Sequence, residues 1–332
     1  MKFLYFNLFL LFSFQGMSLN PISDTEMEKR LKLFDYDQSQ TKRKRKKLKA
    51  YLFNHSAYNI TLTGDDPTSK DPLKVEFTYY KNTKGGIRKS RSTKVDAKKR
   101  PLIIMVPPIL DQTPLDFALG KYLVNKGYHI FLMKFGDAVN DSKREFKKTD
   151  DWARRVTTRF RLLIDYAHTL PEVQKDNIGA YGMSLGGCLI GLFLGVEKRL
   201  KSGVIIVGGG NLPYIMSHSK QFVVTGYVKN RMKAEKIKTK EDVEKYLQKT
   251  LKIDSLYFAK KRRPNKQNIY MVLSENDPAV PSKAQYQLYE AFGKPQRKIF
   301  PKGHFEAILK NLKPANHKHV FDFFVKTIGR VK

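Results

Sequence analysis

The stretch NIGAYGMSLGGCLIGLFLG spans Asn177–Gly195. Its first seven residues are mostly small and apolar and read as a buried strand. Its last part is an apolar run of helical length. Between them sits Gly182-Met183-Ser184-Leu185-Gly186, a G-x-S-x-G. A serine at a sharp strand-to-helix turn needs small residues two before and two after it, because larger ones would collide across the turn. Such a turn lifts the hydroxyl clear of the sheet. It also aims the Leu185 N–H, at the helix start, toward the point where an oxyanion would form. Ser184 is therefore a candidate nucleophile, with a bare turn residue as the alternative.

The surrounding chain has the texture that such a turn requires. Leu102–Val106 is a continuous apolar run, as expected of a strand buried on both faces of a parallel sheet. TPLDFALGKYLVNKG follows with helical spacing, then the apolar strand YHIFLMKF and the long amphipathic DDWARRVTTRFRLLIDYAHTL. After Gly195 come SGVIIVGGG, NIYMVLSEND, SKAQYQLYEAF, RKIFPKGH and HVFDFFVKTIG. Strands alternate with helices, which predicts an α/β fold with a doubly wound, mostly parallel sheet. Asn211–Pro264 interrupts the alternation with lysine- and aromatic-rich helical segments. It is expected to be a lid over the strand ends, with Leu212, Tyr214, Ile215, Met216, Phe222 and Tyr227 either lining an acyl pocket or packing on the core.

A nucleophilic serine needs a base, and the base needs an acid to orient it. On turns of this kind the chain order is serine, acid, histidine. LSENDPAVP follows the strand at Ile269 and FPKGHFEAI follows the strand at Arg297. Both are strand-end loops, where open α/β sheets place their sites. Asp277 is the acid candidate and His304 the base candidate. Glu275 is a rival acid; His129, His168, His317 and His319 do not sit in a loop after a strand in this order. A second oxyanion donor is expected after the strand at Leu102. Pro107 and Pro108 have no N–H, so the first free amide is that of Ile109. Asp111 is read as the cap of the helix that follows.

These motifs resemble those of α/β-hydrolases: GMSLGG, SENDPAVP and GHFEAI, over about residues 70–332. The resemblance implies an α/β-hydrolase fold with Ser184 as nucleophile, Asp277 as acid and His304 as base. Many members carry His-Gly where this chain has Pro107-Pro108. VPPILD is similar to the corresponding loop of polyhydroxyalkanoate synthases, which use a cysteine nucleophile. The resemblance is compatible with an esterase, lipase, thioesterase, peptidase or acyltransferase, or a polyester-active enzyme. A reading from another class is a noncatalytic hydrolase-like protein that binds an acidic envelope polymer. The chemistry calls for no metal and no organic cofactor; His317-x-His319 lacks further ligands nearby.

The N-terminus, MKFLYFNLFLLFSFQGMSLN, has the layout of a secretory signal peptide over residues 1–18. Its apolar run is too short to span a bilayer and holds Asn7; an uncleaved anchor is the alternative. The protein is expected to be exported, whether periplasmic, surface-associated or secreted. The single cysteine, Cys188, precludes an internal disulfide and reads as a packing residue. Lysines and arginines number 63 against 31 acids, for a net charge of +32. Such a chain is expected to associate with anionic membrane or envelope surfaces. The run TKRKRKKLKAY, Thr41–Tyr51, shows no nucleic-acid-binding motif around it and reads as solvated basic surface. The expected organisation is a basic arm over 19–70 and a hydrolase domain over 71–332, with the lid at about 211–264. The substrate partner is expected to be a small-molecule or lipid-like acyl ester, with no specific nucleic acid.

Overall fold

The computed structural model describes residues 22–38, 41–48, 55–83, 99–135, 141, 143–262, 264–312 and 314–330. The signal-peptide segment lies outside them, as does Ala50–Asn54, whose sequence AYLFN reads as a short strand. Among the described residues nine strands form one sheet: β1 (Lys42–Leu48), β2 (Ser56–Gly64), β3 (Leu73–Lys81), β4 (Arg100–Val106), β5 (His129–Lys134), β6 (Val173–Met183), β7 (Ser202–Ile206), β8 (Ile269–Ser274) and β9 (Gln296–Phe300). Their order is β1-β2-β3-β5-β4-β6-β7-β8-β9. Pairs from β5 through β9 are parallel, and β1, β2 and β3 add an antiparallel flank.

The inner parallel strands β4, β7 and β8 are buried from end to end because both faces are covered. Successive residues of a strand point to opposite faces, and β4 shows it. Leu102, Ile104 and Val106 enter one core, while Ile103 and Met105 enter the other. The first core is built against α1 (Asp24–Lys32), α3 (Thr149–Thr169), α4 (Leu185–Val196), α8 (Ser255–Arg262) and α9 (Ser282–Ala291). The second is built against α2 (Pro114–Asn125), α10 (His304–Leu312) and α11 (Pro314–Ile328).

Two boundaries differ from the sequence expectation. Residues 42–64 are not a separate arm, because β1 and β2 continue the main sheet. The basic run is the sheet's edge strand, with Lys42–Lys47 all exposed. Cations there block edge-to-edge pairing with another chain. The segment 211–264 also divides. Three helices, α5 (Leu212–His218), α6 (Phe222–Glu235) and α7 (Lys240–Thr250), form a cap. Tyr227, Val228, Val243 and Leu247 cluster there with Phe146. The last helix of the segment, α8, belongs to the main core instead: Leu256, Tyr257, Phe258 and Ala259 pack into it. The buried Asp254 joins cap to core, its carboxylate accepting from the amides of Asn211, Leu212 and Leu256 at 3.0, 2.5 and 2.8 Å.

A second buried carboxylate ties the antiparallel flank to α3. Asp66 accepts from Arg154 at 3.0 and 2.9 Å and from Arg155 at 2.5 Å. Burial pushes this carboxyl upward, but the guanidinium of Arg154 and the hydrogen bonds from Thr68 prevail and hold it below its ordinary value. Replacing Asp66 by Ala leaves the buried Arg154 with Asp151 as its remaining carboxylate partner and is expected to lower unfolding free energy by roughly 1.5–3 kcal/mol, read from urea denaturation at neutral pH. Because the folded-state value is depressed, the stabilisation is present above the unfolded value, about pH 4, and is lost as pH falls through the folded value. The gap between wild type and Asp66→Ala should therefore narrow below about pH 4.

Candidate active site

The turn between β6 and α4 carries Ser184 at φ 55°, ψ −121°. A non-glycine residue at positive φ costs roughly 1–3 kcal/mol and persists only where its surroundings enforce it. Here the Ser184 amide donates to Ile206 O at 2.9 Å, which ties the turn to β7. The two flanking glycines are required by close approach. A Cβ on Gly182 would lie 2.4 Å from Gly186 O, and a Cβ on Gly186 would lie 2.3 Å from Val106 O. The first contact crosses the turn; the second presses the start of α4 against the end of β4.

Three side chains from three strand ends meet at this turn. The Ser184 hydroxyl and His304 Nε2 are 2.9 Å apart, and His304 Nδ1 lies 2.6 Å from Asp277 Oδ2. All three are buried. His304 begins α10, just past β9, and Asp277 lies in the loop after β8. Asp277 is held from every side. Its Oδ1 accepts from the Ala279 and Val280 amides at 2.8 and 2.9 Å. Its Oδ2 also accepts from Gln285 Nε2 at 2.9 Å. Gln285 is fully buried on α9. Its remaining N–H donates to Val280 O and its oxygen accepts from the Ser274 amide, which fixes which way the amide points. Sequence reasoning missed Gln285. A glutamine eight residues past the acid carries no motif, and only the turn of the loop back onto α9 brings it into contact.

Beside Ser184 lies a cavity of ≈ 100 Å³ lined by Ile109, Leu185 and Cys188 from the core and by Ile215, Met216 and Val224 from the cap, among others. Trp152 also lines it, and its indole N–H is buried without a partner among the described residues. Ile109 and Leu185 thus stand on the same cavity as the hydroxyl. Pro108 O accepts from the Asp111 amide at 3.0 Å, closing a tight turn with Ile109 and Leu110 at its centre. Asp111 does not cap α2. That role falls to Thr113, in a capping box with Asp116, and Asp111 Oδ1 accepts from the Phe135 amide at 3.4 Å, fastening the turn to the end of β5. Burial pushes the Cys188 thiol up to about 12, which leaves it a neutral wall residue.

The architecture agrees with comparison to solved structures. An acetyl xylan esterase from a Thermoanaerobacterium species superposes with TM-score 0.67 at 17% identity, covering 92% of this chain and 95% of that one. One from a Paenibacillus species gives 0.66 at 13%, covering 94% and 96%. The esterase Est1E from Butyrivibrio proteoclasticus gives 0.51 at 15%, covering 81% and 99%. The chain has the α/β-hydrolase fold. A family model described as BAAT / Acyl-CoA thioester hydrolase C terminal matches residues 160–298 of it. That match takes in Ser184 and Asp277 and stops before His304. Comparison with curated proteins gives no match.

Within this hydrolase fold the other candidates lie elsewhere. Glu275 is exposed and its amide donates to Phe300 O, so it braces the loop rather than the imidazole. His129 is buried in β5, where it accepts from the Asn82 amide, and burial pushes it down to about 4. His168 ends α3, His317 packs near Tyr122 on α2, and His319 is exposed on α11. Among the described residues no group of three or more His, Cys, Asp or Glu could hold a metal ion.

Gln285→Leu removes a donor to the Asp277 carboxylate while leaving the two backbone donors. It is expected to slow fluorophosphonate labelling of Ser184 by about 10- to 100-fold, the range for losing a hydrogen bond to a charged group. Gln285→Glu, which sets a second carboxylate against Asp277, should slow it further. Labelling rates of the three proteins, with circular dichroism as a fold check, decide it.

Proposed function

We propose that the protein is a serine hydrolase that cleaves esters of short carboxylic acids. The observation that carries this is the unbroken hydrogen-bonded series Ser184–His304–Asp277 opening on a small apolar cavity. His304 Nε2 takes the Ser184 proton as the oxygen attacks the ester carbonyl. Asp277 holds the ring and stabilises its cationic form. The Leu185 and Ile109 amides stabilise the oxyanion; one such donor is typically worth roughly 3 kcal/mol. Collapse of the tetrahedral intermediate breaks the bond to the leaving alcohol, which takes the proton from His304. Water, activated by the same imidazole, then releases the acid from Ser184. No step calls for a metal or organic cofactor.

The cavity sets the acyl size. At ≈ 100 Å³ it is smaller than a 150 Å³ engineered cavity that holds benzene. An acetyl to butyryl group fits within it, and a long chain would have to extend past its mouth. That two of the similar folds are named acetyl xylan esterases supports a short acyl group. The family model supports a second reading, in which the leaving group is a thiol rather than an alcohol. Export rests on the sequence of residues 1–18 alone.

Purified residues 19–332 should turn over p-nitrophenyl acetate and butyrate, and palmitate far more slowly. Ser184→Ala should lower kcat/KM by at least about 10⁴-fold. An acyl thioester series run beside the esters separates the two leaving groups. No turnover of either, with no fluorophosphonate labelling of a folded protein, sinks the proposal and favours a noncatalytic binder. Met216→Ala, which enlarges the cavity, should move the preferred acyl chain to greater length, read as the ratio of kcat/KM for octanoate over acetate.

A further inference from the structure

Large apolar side chains more than half exposed are few among the described residues: Leu110 at 59%, Phe222 at 72%, Phe305 at 70% and Leu309 at 52%. All four flank the active site. Leu110 follows the cavity-lining Ile109, and Phe222 stands between the cavity-lining Gln221 and Val223. Phe305 follows His304, and Leu309 is one turn further along α10, on the same face as Phe305. None of the four lines the cavity. Each stands next to a residue of the site in the chain, Leu309 one helical turn beyond Phe305, and exposed apolar side chains grouped around a site mark an interaction surface.

The charge beside these side chains names the partner. Lys220 is exposed two residues before Phe222, and Lys302 three residues before Phe305. Lys310 adjoins Leu309. Glu306 lies between the last two, 3.2 Å from Lys302 and 3.6 Å from Lys310. The whole chain carries +32. Apolar side chains with lysines at their border suit the headgroup region of a bilayer, where the rings enter the acyl boundary and the ammonium groups meet anionic lipid. A short acyl group inside the cavity cannot cover residues that stand outside it. We propose that the face bearing the mouth of the active site docks on an anionic lipid surface. Leu110, Phe222, Phe305 and Leu309 enter the interface. The purpose of docking, delivery of acyl esters held at that surface, rests on the hydrolase reading; the docking itself does not.

The test uses Ser184→Ala protein, so that nothing is hydrolysed, sedimented with phosphatidylcholine vesicles with and without phosphatidylglycerol. A chain this basic binds anionic vesicles nonspecifically at low salt, so binding is read at about 0.15 M and about 1 M salt, where the Debye length is about 8 and 3 Å. Binding should need the anionic lipid, and part of it should survive the higher salt. Adding Phe222→Ser and Leu309→Ser should lower that surviving partition by about tenfold or more. Lys44→Gln with Lys46→Gln, on the edge strand β1 about 24 Å across the sheet from β6, should weaken only the low-salt binding. Unaltered binding of the Phe222→Ser/Leu309→Ser protein, or high-salt binding lost only in the β1 variant, overturns the proposal. So does a dimer that these apolar changes dissociate, in a protein that binds no vesicles. Circular dichroism checks the fold of each variant. A protein that docks through this face yet turns over no ester refutes the hydrolase reading and leaves the docking standing.

Discussion

The close approach of Gly186 to the Val106 carbonyl is the contact on which the site depends. Its space holds no side chain at all. Because α4 starts directly against the end of β4, the Leu185 amide and the Pro107–Ile109 loop share one small volume beside the Ser184 hydroxyl. The same approach forces Ser184 into a backbone conformation that the chain would not adopt alone. Strain there is held by the strands on either side, which are buried on both faces and have no freedom to relax. The catalytic geometry is thus a consequence of sheet packing.

Electrostatics is arranged in two regimes. Inside, three buried carboxylates are each met by several donors. Asp277 is met by His304, Gln285 and two amides, Asp254 by three amides, and Asp66 by two arginines. Leaving any of them unpaired would cost more than the pairing gains. Outside, the excess of lysine is solvated and contributes little to the fold. The edge strand is the clearest example: six consecutive cations form a regular strand because its partner β2 supplies the ladder, with Arg45 stacked on the Tyr58 ring of β2 at 3.6 Å.

How much was legible follows from how local each signal is. The parallel strands were readable because burial on both faces demands an unbroken apolar run, as at Leu102–Val106. The turn at Ser184 was readable because sterics across it act within five residues. Of the antiparallel flank, β2 and β3 were readable as the strand patterns YNITLTG and LKVEFTYYKN, but β1 was not: KRKRKKL has no apolar alternation, and only its pairing with β2 makes it a strand. The end of the cap was hidden as well. α8 carries lysines like its neighbours, yet Leu256 and Phe258 pack into the main core against α4.

By itself the sequence determined an alternating α/β chain, a serine at a strand-to-helix turn, and an acid and a histidine in later strand-end loops in the expected order. Those features depend on residue type and spacing, which a linear pattern records. Only the tertiary structure decided that Ser184, Asp277 and His304 lie within hydrogen-bond reach, since they are separated by as many as 120 residues. It alone brought Gln285 to Asp277, gave the capping of α2 to Thr113 rather than Asp111, and set the cavity at ≈ 100 Å³. Distances and volumes of that kind arise from how elements pack against one another, and no single stretch of chain carries them.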